Sequence, residues 1–129
     1  MPLRSFAKLY ELAKAGETDA LFVHITELMA EFPEDRDPPN WALIAAAEEG
    51  QVETARALLE AGAHIEGASK RSYIHPLWKA AKSGHLQMVQ LLVSSGANTN
   101  ATDDTGMTAL DYAKRYSRKE VVEYLQSFK

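Results

Sequence analysis

The tripeptide Asp104-Thr105-Gly106 has the most obvious chemical potential in this chain. An aspartate so placed is hydrolytic when two copies meet and share one proton, because like charges about 3 Å apart cannot both ionise. An aspartic-type protease using Asp104, Thr105 and Gly106 therefore needs an all-β fold that brings two such aspartates together. This sequence has one copy, set among residues of helical periodicity. The other candidates are weaker. His24, His64, His75 and His85 show no pairing one helical turn apart and have no companion cysteines, so they do not make a metal site. No nucleophile elbow, phosphate loop or dinucleotide fingerprint is present. The expectation is no catalytic residue, no metal and no cofactor.

The elements around Asp104 explain it better. Residues 46–63, AAEEGQVETARALLEAGA, align without a gap on residues 80–97, AAKSGHLQMVQLLVSSGA. Gly16, Gly50 and Gly84 thus recur every 34 residues. Within each unit the apolar residues keep helical spacing: Val52, Ala55, Leu58 and Leu59, then Leu86, Val89, Leu92 and Val93. A shorter helix rich in small residues precedes each, over 42–49 and 76–83. Its Ala46-Ala47 or Ala80-Ala81 pair permits close approach of neighbouring units, and a glycine ends it. Each unit is expected to be a helix hairpin.

These residues resemble the ankyrin repeat. His75-Pro76-Leu77-Trp78-Lys79-Ala80 and Thr108-Ala109-Leu110-Asp111-Tyr112-Ala113 fill the family's opening motif in successive units. Gly96-Ala97-Asn98 through Gly106 reproduces its projecting turn, with Asp103 and Gly106 at the fixed positions and Asp104 and Thr105 at the variable tip. A tetratricopeptide array shares the period but lacks this segment. The resemblance implies an all-α ankyrin-repeat solenoid of stacked helix-turn-helix units with projecting β-turn loops. One domain spans 1–129: a degenerate capping repeat over 1–39, repeats over 40–73 and 74–106, and a C-terminal capping repeat over 107–129. Trp41 is expected to cover the boundary with the first unit, and Trp78 to pack between repeats.

Composition agrees with a globular domain, at 46% hydrophobic and 25% charged residues. The absence of cysteine fits a reducing compartment, with the cytoplasm as the default. Lys8, Glu11 and Lys14 interrupt the opening segment, so it lacks a signal-peptide core, and no apolar run approaches a membrane span. Charge is uneven. Residues 31–66 carry nine acids against two arginines, whereas residues 67–129 carry nine bases against five acids. With a net charge of −4, the chain is disfavoured as a nucleic-acid binder.

By resemblance, the array should bind another protein through its concave face, monomeric when free. The variable contact positions map onto Asn40, Glu48 and Glu49 in the first full repeat, and onto Arg71, Ser72, Ile74, Lys82 and Ser83 in the second. In the last unit they map onto Asp104, Thr105, Met107, Arg115 and Tyr116. They run from acidic to basic and aromatic, a gradient that would steer a complementary partner into register. The loop containing Lys70, Arg71, Tyr73 and Ile74 departs from the family turn and is a further candidate for contact. Small free-standing ankyrin proteins resembling this one act as inhibitors, assembly factors or toxin-neutralising immunity proteins.

Overall fold

The structure, a computed structural model, describes residues 3–67 and 74–128. Its helices are α1 (Leu3–Ala15), α2 (Thr18–Glu31), α3 (Pro38–Glu49), α4 (Val52–Glu60), α5 (Pro76–Ser83), α6 (Leu86–Ser94), α7 (Ala109–Arg115) and α8 (Lys119–Gln126). Among the described residues there is no strand. Consecutive helices form hairpins, and the odd-numbered helices pack side by side in the order α1, α3, α5, α7. The even-numbered helices lie behind them and touch one another far more lightly. Small side chains permit the tight inner row: Ala13, Ala46, Ala47, Ala80, Ala81 and Ala113 are fully buried. Closer spacing in front than behind makes the odd-numbered row the concave side of the stack.

Larger side chains fill the space between the two rows. Leu58, Leu92 and Met88 have no exposure, and Leu125 has 5%. Truncating one such leucine to alanine is expected to cost about 2–5 kcal/mol, since the void left behind adds to the lost transfer energy. In the first unit Leu21, Ile25 and Leu28 are buried as their spacing requires, while Phe32 is half-buried where α2 ends. Trp41 is half-buried and meets Phe6 edge-on, 5.6 Å between centroids, across the first boundary.

Local chemistry sets the helix limits. Pro38 and Pro39 begin α3, where a missing N–H breaks no helical bond. The α5 helix starts on His75, whose Nδ1 accepts a hydrogen bond from Leu77 N at 3.2 Å. Thr108 and Asp111 form a reciprocal capping box on α7. Gly50 and Gly84 end α3 and α5 at φ 74° and 78°, a conformation that a side chain disfavours. In the last unit Ser117 takes that role at φ 57°.

A recurrent lock ties each unit to the next. The residue after each turn position points back over the preceding unit's glycine and hydrogen-bonds the last turn of its first helix. Gln51 Nε2 donates to Lys14 O at 2.9 Å, His85 Nε2 contacts Glu48 O at 3.0 Å, and Arg118 Nε donates to Lys82 O at 2.9 Å. The side chains fill the space a Cβ would need. A Cβ on Gly50 would lie 2.8 Å from His85 Nδ1, and one on Gly84 2.7 Å from Arg118 Cδ.

Candidate functional site

The concave row carries a line of side chains in contact across successive units. On α1, Tyr10 donates its hydroxyl to Glu48 Oε2 at 2.5 Å. Lys14 lies 3.4 Å from Glu49 Oε1. Lys79 on α5 reaches the same Glu48 carboxylate at 3.9 Å. Burial, then the bond and charge of Glu48, raise the Tyr10 phenol well above its ordinary pKa. One unit further on, Lys82 Nζ sits 5.2 Å from the centroid of the Tyr116 ring, within cation–π range. Arg115 Nη1 approaches Met107 Sδ at 3.9 Å. The structure therefore brings together Glu48 and Glu49 on α3, and in the later units pairs Lys82 with Tyr116 and Arg115 with Met107.

The charge gradient read from the sequence is altered by this pairing. Glu48 and Glu49 meet lysines of the adjacent units, so the acidic end is largely compensated within the fold. Among the described residues, no carboxylate lies within 4.0 Å of the cationic nitrogens of Lys82, Lys114, Arg115, Arg118 or Lys119. Tyr116, at 42% exposure, lies under one of these cations, Lys82.

Asn40 departs from the contact role expected of it. It is 2% exposed, donates from Nδ2 to Asp37 Oδ1 at 3.2 Å, and accepts His64 N at 2.7 Å through Oδ1. It stitches the entry of α3 to the loop after α4 and offers no surface. Ser83 and Ile74 are half-buried, and Asp104 and Thr105 are exposed. Arg71 and Ser72 lie outside the described residues, as do Lys70 and Tyr73.

The Asp-Thr-Gly segment is the tip of a turn closed by Gly106 N donating to Asp103 O at 3.0 Å. The organising carboxylate is that of Asp103. Its Oδ1 accepts Thr105 N at 2.9 Å, Thr105 Oγ1 at 2.6 Å and Met107 N at 3.0 Å, while Oδ2 accepts the Tyr112 hydroxyl. The Thr105 side-chain bond, then those of Tyr112 and Met107, hold the Asp103 carboxyl well below the usual range. The same contact, reinforced by burial, pushes the Tyr112 phenol up to about 12. Among the described residues, no group of three or more histidine, cysteine or acidic side chains is placed to hold a metal.

Trp78 was legible as a packed residue but not by its partners. It is 8% exposed, donates Nε1–H to Ala101 O at 3.2 Å, and lies between His75 and Tyr112, with centroids 5.3 and 6.3 Å away. Glu66 is a residue the sequence reading missed. One oxygen accepts Asn98 N at 2.9 Å, and the other bonds His75 Nε2. Because His75 Nδ1 accepts from Leu77, its proton sits on Nε2 and is donated to Glu66. Glu66 thus holds neighbouring projecting segments together. Only its place in a degenerate turn, with a capping histidine nine residues on, hinted at this.

Comparison with known proteins completes the picture. A family model described as ankyrin repeat matches residues 40–70, and one described as ankyrin repeats (many copies) matches residues 77–126. The chain belongs to the ankyrin-repeat family. Such repeats are protein–protein interaction modules and generally not catalytic. Ankyrin-bearing relatives differ widely in their whole-protein names. One is the "Probable E3 ubiquitin-protein ligase XBOS33" of Oryza sativa subsp. japonica, 39% identical over 88 residues, covering 67% of this chain and 17% of the relative. The human "Ankyrin repeat and KH domain-containing protein 1" is 47% identical over 72 residues, covering 55% of this chain and 3% of that protein. The human "ARF GTPase-activating protein GIT1" is 36% identical over 76 residues, covering 59% of this chain and 10% of its own. This chain thus spans less than a fifth of each of these relatives. Among the described residues, no helix is long and apolar enough to cross a membrane.

Proposed function

We propose that this ankyrin-repeat chain binds another protein through its concave row, without catalysis, by occupying part of the partner's surface. The observation that carries the reading is the run of cross-unit contacts from Lys14 and Tyr10 through Glu48, Glu49 and Lys79 to Lys82 and Tyr116. A surface that touches itself from unit to unit is held in one shape before a partner arrives, which lowers the ordering cost of binding. Glu48, Glu49, Lys82, Ser83, Met107, Arg115 and Tyr116 are the contact residues in this reading, with Ile74, Asp104 and Thr105, and with Arg71 and Ser72 kept from the sequence pattern alone. The units run over 1–39, 40–73, 74–106 and 107–129, and the protein acts in the cytoplasm, monomeric when free, as an inhibitor, immunity protein or assembly factor.

Site-specific photo-crosslinking tests this. A crosslinker at position 116 should capture a partner in the native host, and one at position 87, on the opposite side of the stack, should not. Capture from position 87 alone overturns the assignment. Charge reversal at Arg115 should mainly slow association and weaken with added salt, whereas Tyr116→Ala should cost about 2 kcal/mol through faster dissociation.

A further inference from the structure

The two ends of the concave row differ in what their charges already hold. Glu48 receives Tyr10 and Lys79, and Glu49 receives Lys14. At the other end Lys82 faces an aromatic ring and Arg115 a thioether. Of the acids nearest in sequence, Asp103 is engaged inside its own turn and Asp111 in the capping box, while Asp104 stands exposed at the turn tip. The recognition potential of the row is therefore positive and concentrated at Lys82, Arg115 and Tyr116.

Beside Lys82 lies a shallow pocket of about 110 Å³ lined by Ile74, His75, Trp78, Lys79, Lys82 and Tyr112. The three rings on its wall have their polar atoms occupied, Trp78 Nε1 on Ala101 O, the Tyr112 hydroxyl on Asp103, and the His75 nitrogens on Leu77 N and Glu66. What remains is apolar ring and aliphatic surface edged by two ammonium groups. A cavity of roughly 150 Å³ is the size that holds benzene, so this smaller space suits a branched aliphatic side chain.

Resting on the protein-binding role above, we infer that the C-terminal half of the concave row takes an acidic protein segment, seating one aliphatic side chain in this pocket against Trp78 and Tyr112 and setting flanking carboxylates against Lys82 and Arg115. The surface favours a peptide over a nucleic acid. Strand binding without base readout uses successive aromatic faces for stacking, but Tyr116 is the one exposed tyrosine or tryptophan ring among the described residues, and Lys82 is already poised over it. The carboxylates of Asp103 and Asp104, near Tyr112, would also repel a continuous polyanion. A short peptide can place its few acids to avoid them.

The test uses the full chain and a fluorescein-labelled peptide bearing one central Leu flanked on both sides by Glu and Asp. Controls are the same peptide with Leu replaced by Ser, the same with its acids replaced by Lys, and an oligouridine of matching charge. In fluorescence anisotropy at low salt the acidic Leu peptide should bind. Affinity should fall about tenfold on raising salt to physiological strength and beyond, because rim charges are screened. The Ser peptide should bind several-fold more weakly. The double variant Lys82→Glu, Arg115→Glu should lose binding, and Gln87→Glu should not. No binding at low salt, tighter binding of the Lys peptide or the oligouridine, or indifference to the Leu replacement would each overturn the inference. The wild-type arms suffice should the double variant fail to fold. If a partner crosslinks from position 116 while the acidic peptide neither binds nor competes, only the acidic assignment falls. Capture from position 87 alone removes the concave-face reading itself.

Discussion

The Nε2 nitrogen of His85 lies 3.0 Å from the carbonyl oxygen of Glu48, so a residue at the start of the second helix of one hairpin closes the open end of the first helix of the hairpin before it. Gln51 and Arg118 reach the corresponding carbonyls of Lys14 and Lys82. Three different side chains do one job because each offers an N–H at the same distance beyond its backbone neighbour's glycine or its own turn.

His85→Ala should therefore destabilise the protein by about 1 kcal/mol, leaving the Glu48 carbonyl without this partner. His85→Gln should recover most of that loss, since glutamine is the residue used one unit earlier. Urea denaturation of the three proteins decides the matter: a glutamine variant as unstable as the alanine variant would show that the hydrogen bond is not what matters.

Gly84→Ala should cost more than about 1 kcal/mol, because a left-handed backbone and an occupied space oppose the new methyl group together. Ser117→Gly should do the reverse and stabilise by about 0.5–1 kcal/mol, the left-handed strain released being partly offset by the entropy of glycine in the unfolded chain. Thermal unfolding midpoints moving in opposite directions would bear this out. A Ser117→Gly variant less stable than the wild type would contradict it.

The Asp103–Tyr112 contact should titrate at both ends of the pH scale. The folded Asp103 carboxyl is depressed, so its contribution is present above the unfolded value near 3.9 and is lost as pH falls below that toward the folded value. Tyr112 is raised to about 12, so its contribution is present below the unfolded value near 10 and is lost as pH rises through about 12. In an ultraviolet titration Tyr10 and Tyr112 should both ionise late, and Asp103→Asn should bring Tyr112 alone back toward the ordinary range. Asp104→Asn should leave Tyr112 late and the stability unchanged within about 0.5 kcal/mol. Two late tyrosines persisting in Asp103→Asn would assign the Tyr112 shift elsewhere.

Asn40→Ala should cost about 1–3 kcal/mol, because it strands the buried end of the His64 N–H bond. It should not change the affinity of molecules that remain folded. Binding measured at low temperature, with the folded fraction checked by circular dichroism, separates the two effects. A loss of affinity at full folding would return Asn40 to the contact surface.

The helix hairpins were legible because their signals are local and repeated. Gly50 and Gly84 stand 34 residues apart, and the stripes Val52 to Leu59 and Leu86 to Val93 carry the period of a helix. The α5 helix matches its expected span over 76–83, whereas α3 begins earlier than the expected 42 because Pro38 and Pro39 make a good first turn. The site was less legible. Glu48 and Glu49 read as free acids, since nothing near them in sequence reveals Lys14, Tyr10 or Lys79 as partners. Asn40 read as a contact because the family position is variable, yet the loop after α4 folds over it and makes it structural. The lock was invisible for another reason: glutamine, histidine and arginine share no type, only a reachable N–H.

Because each lock donor directly follows its own unit's turn residue in sequence and covers the glycine one unit earlier, excising residues 51–84 would join Gly50 to His85 and place that histidine over Gly16, where Gln51 now sits. Copying the same stretch would add one more glycine and one more donor in matching order. Unequal recombination can thus lengthen or shorten this gene in steps of one unit without inventing a new junction, and selection is left to work on the exposed concave side chains alone.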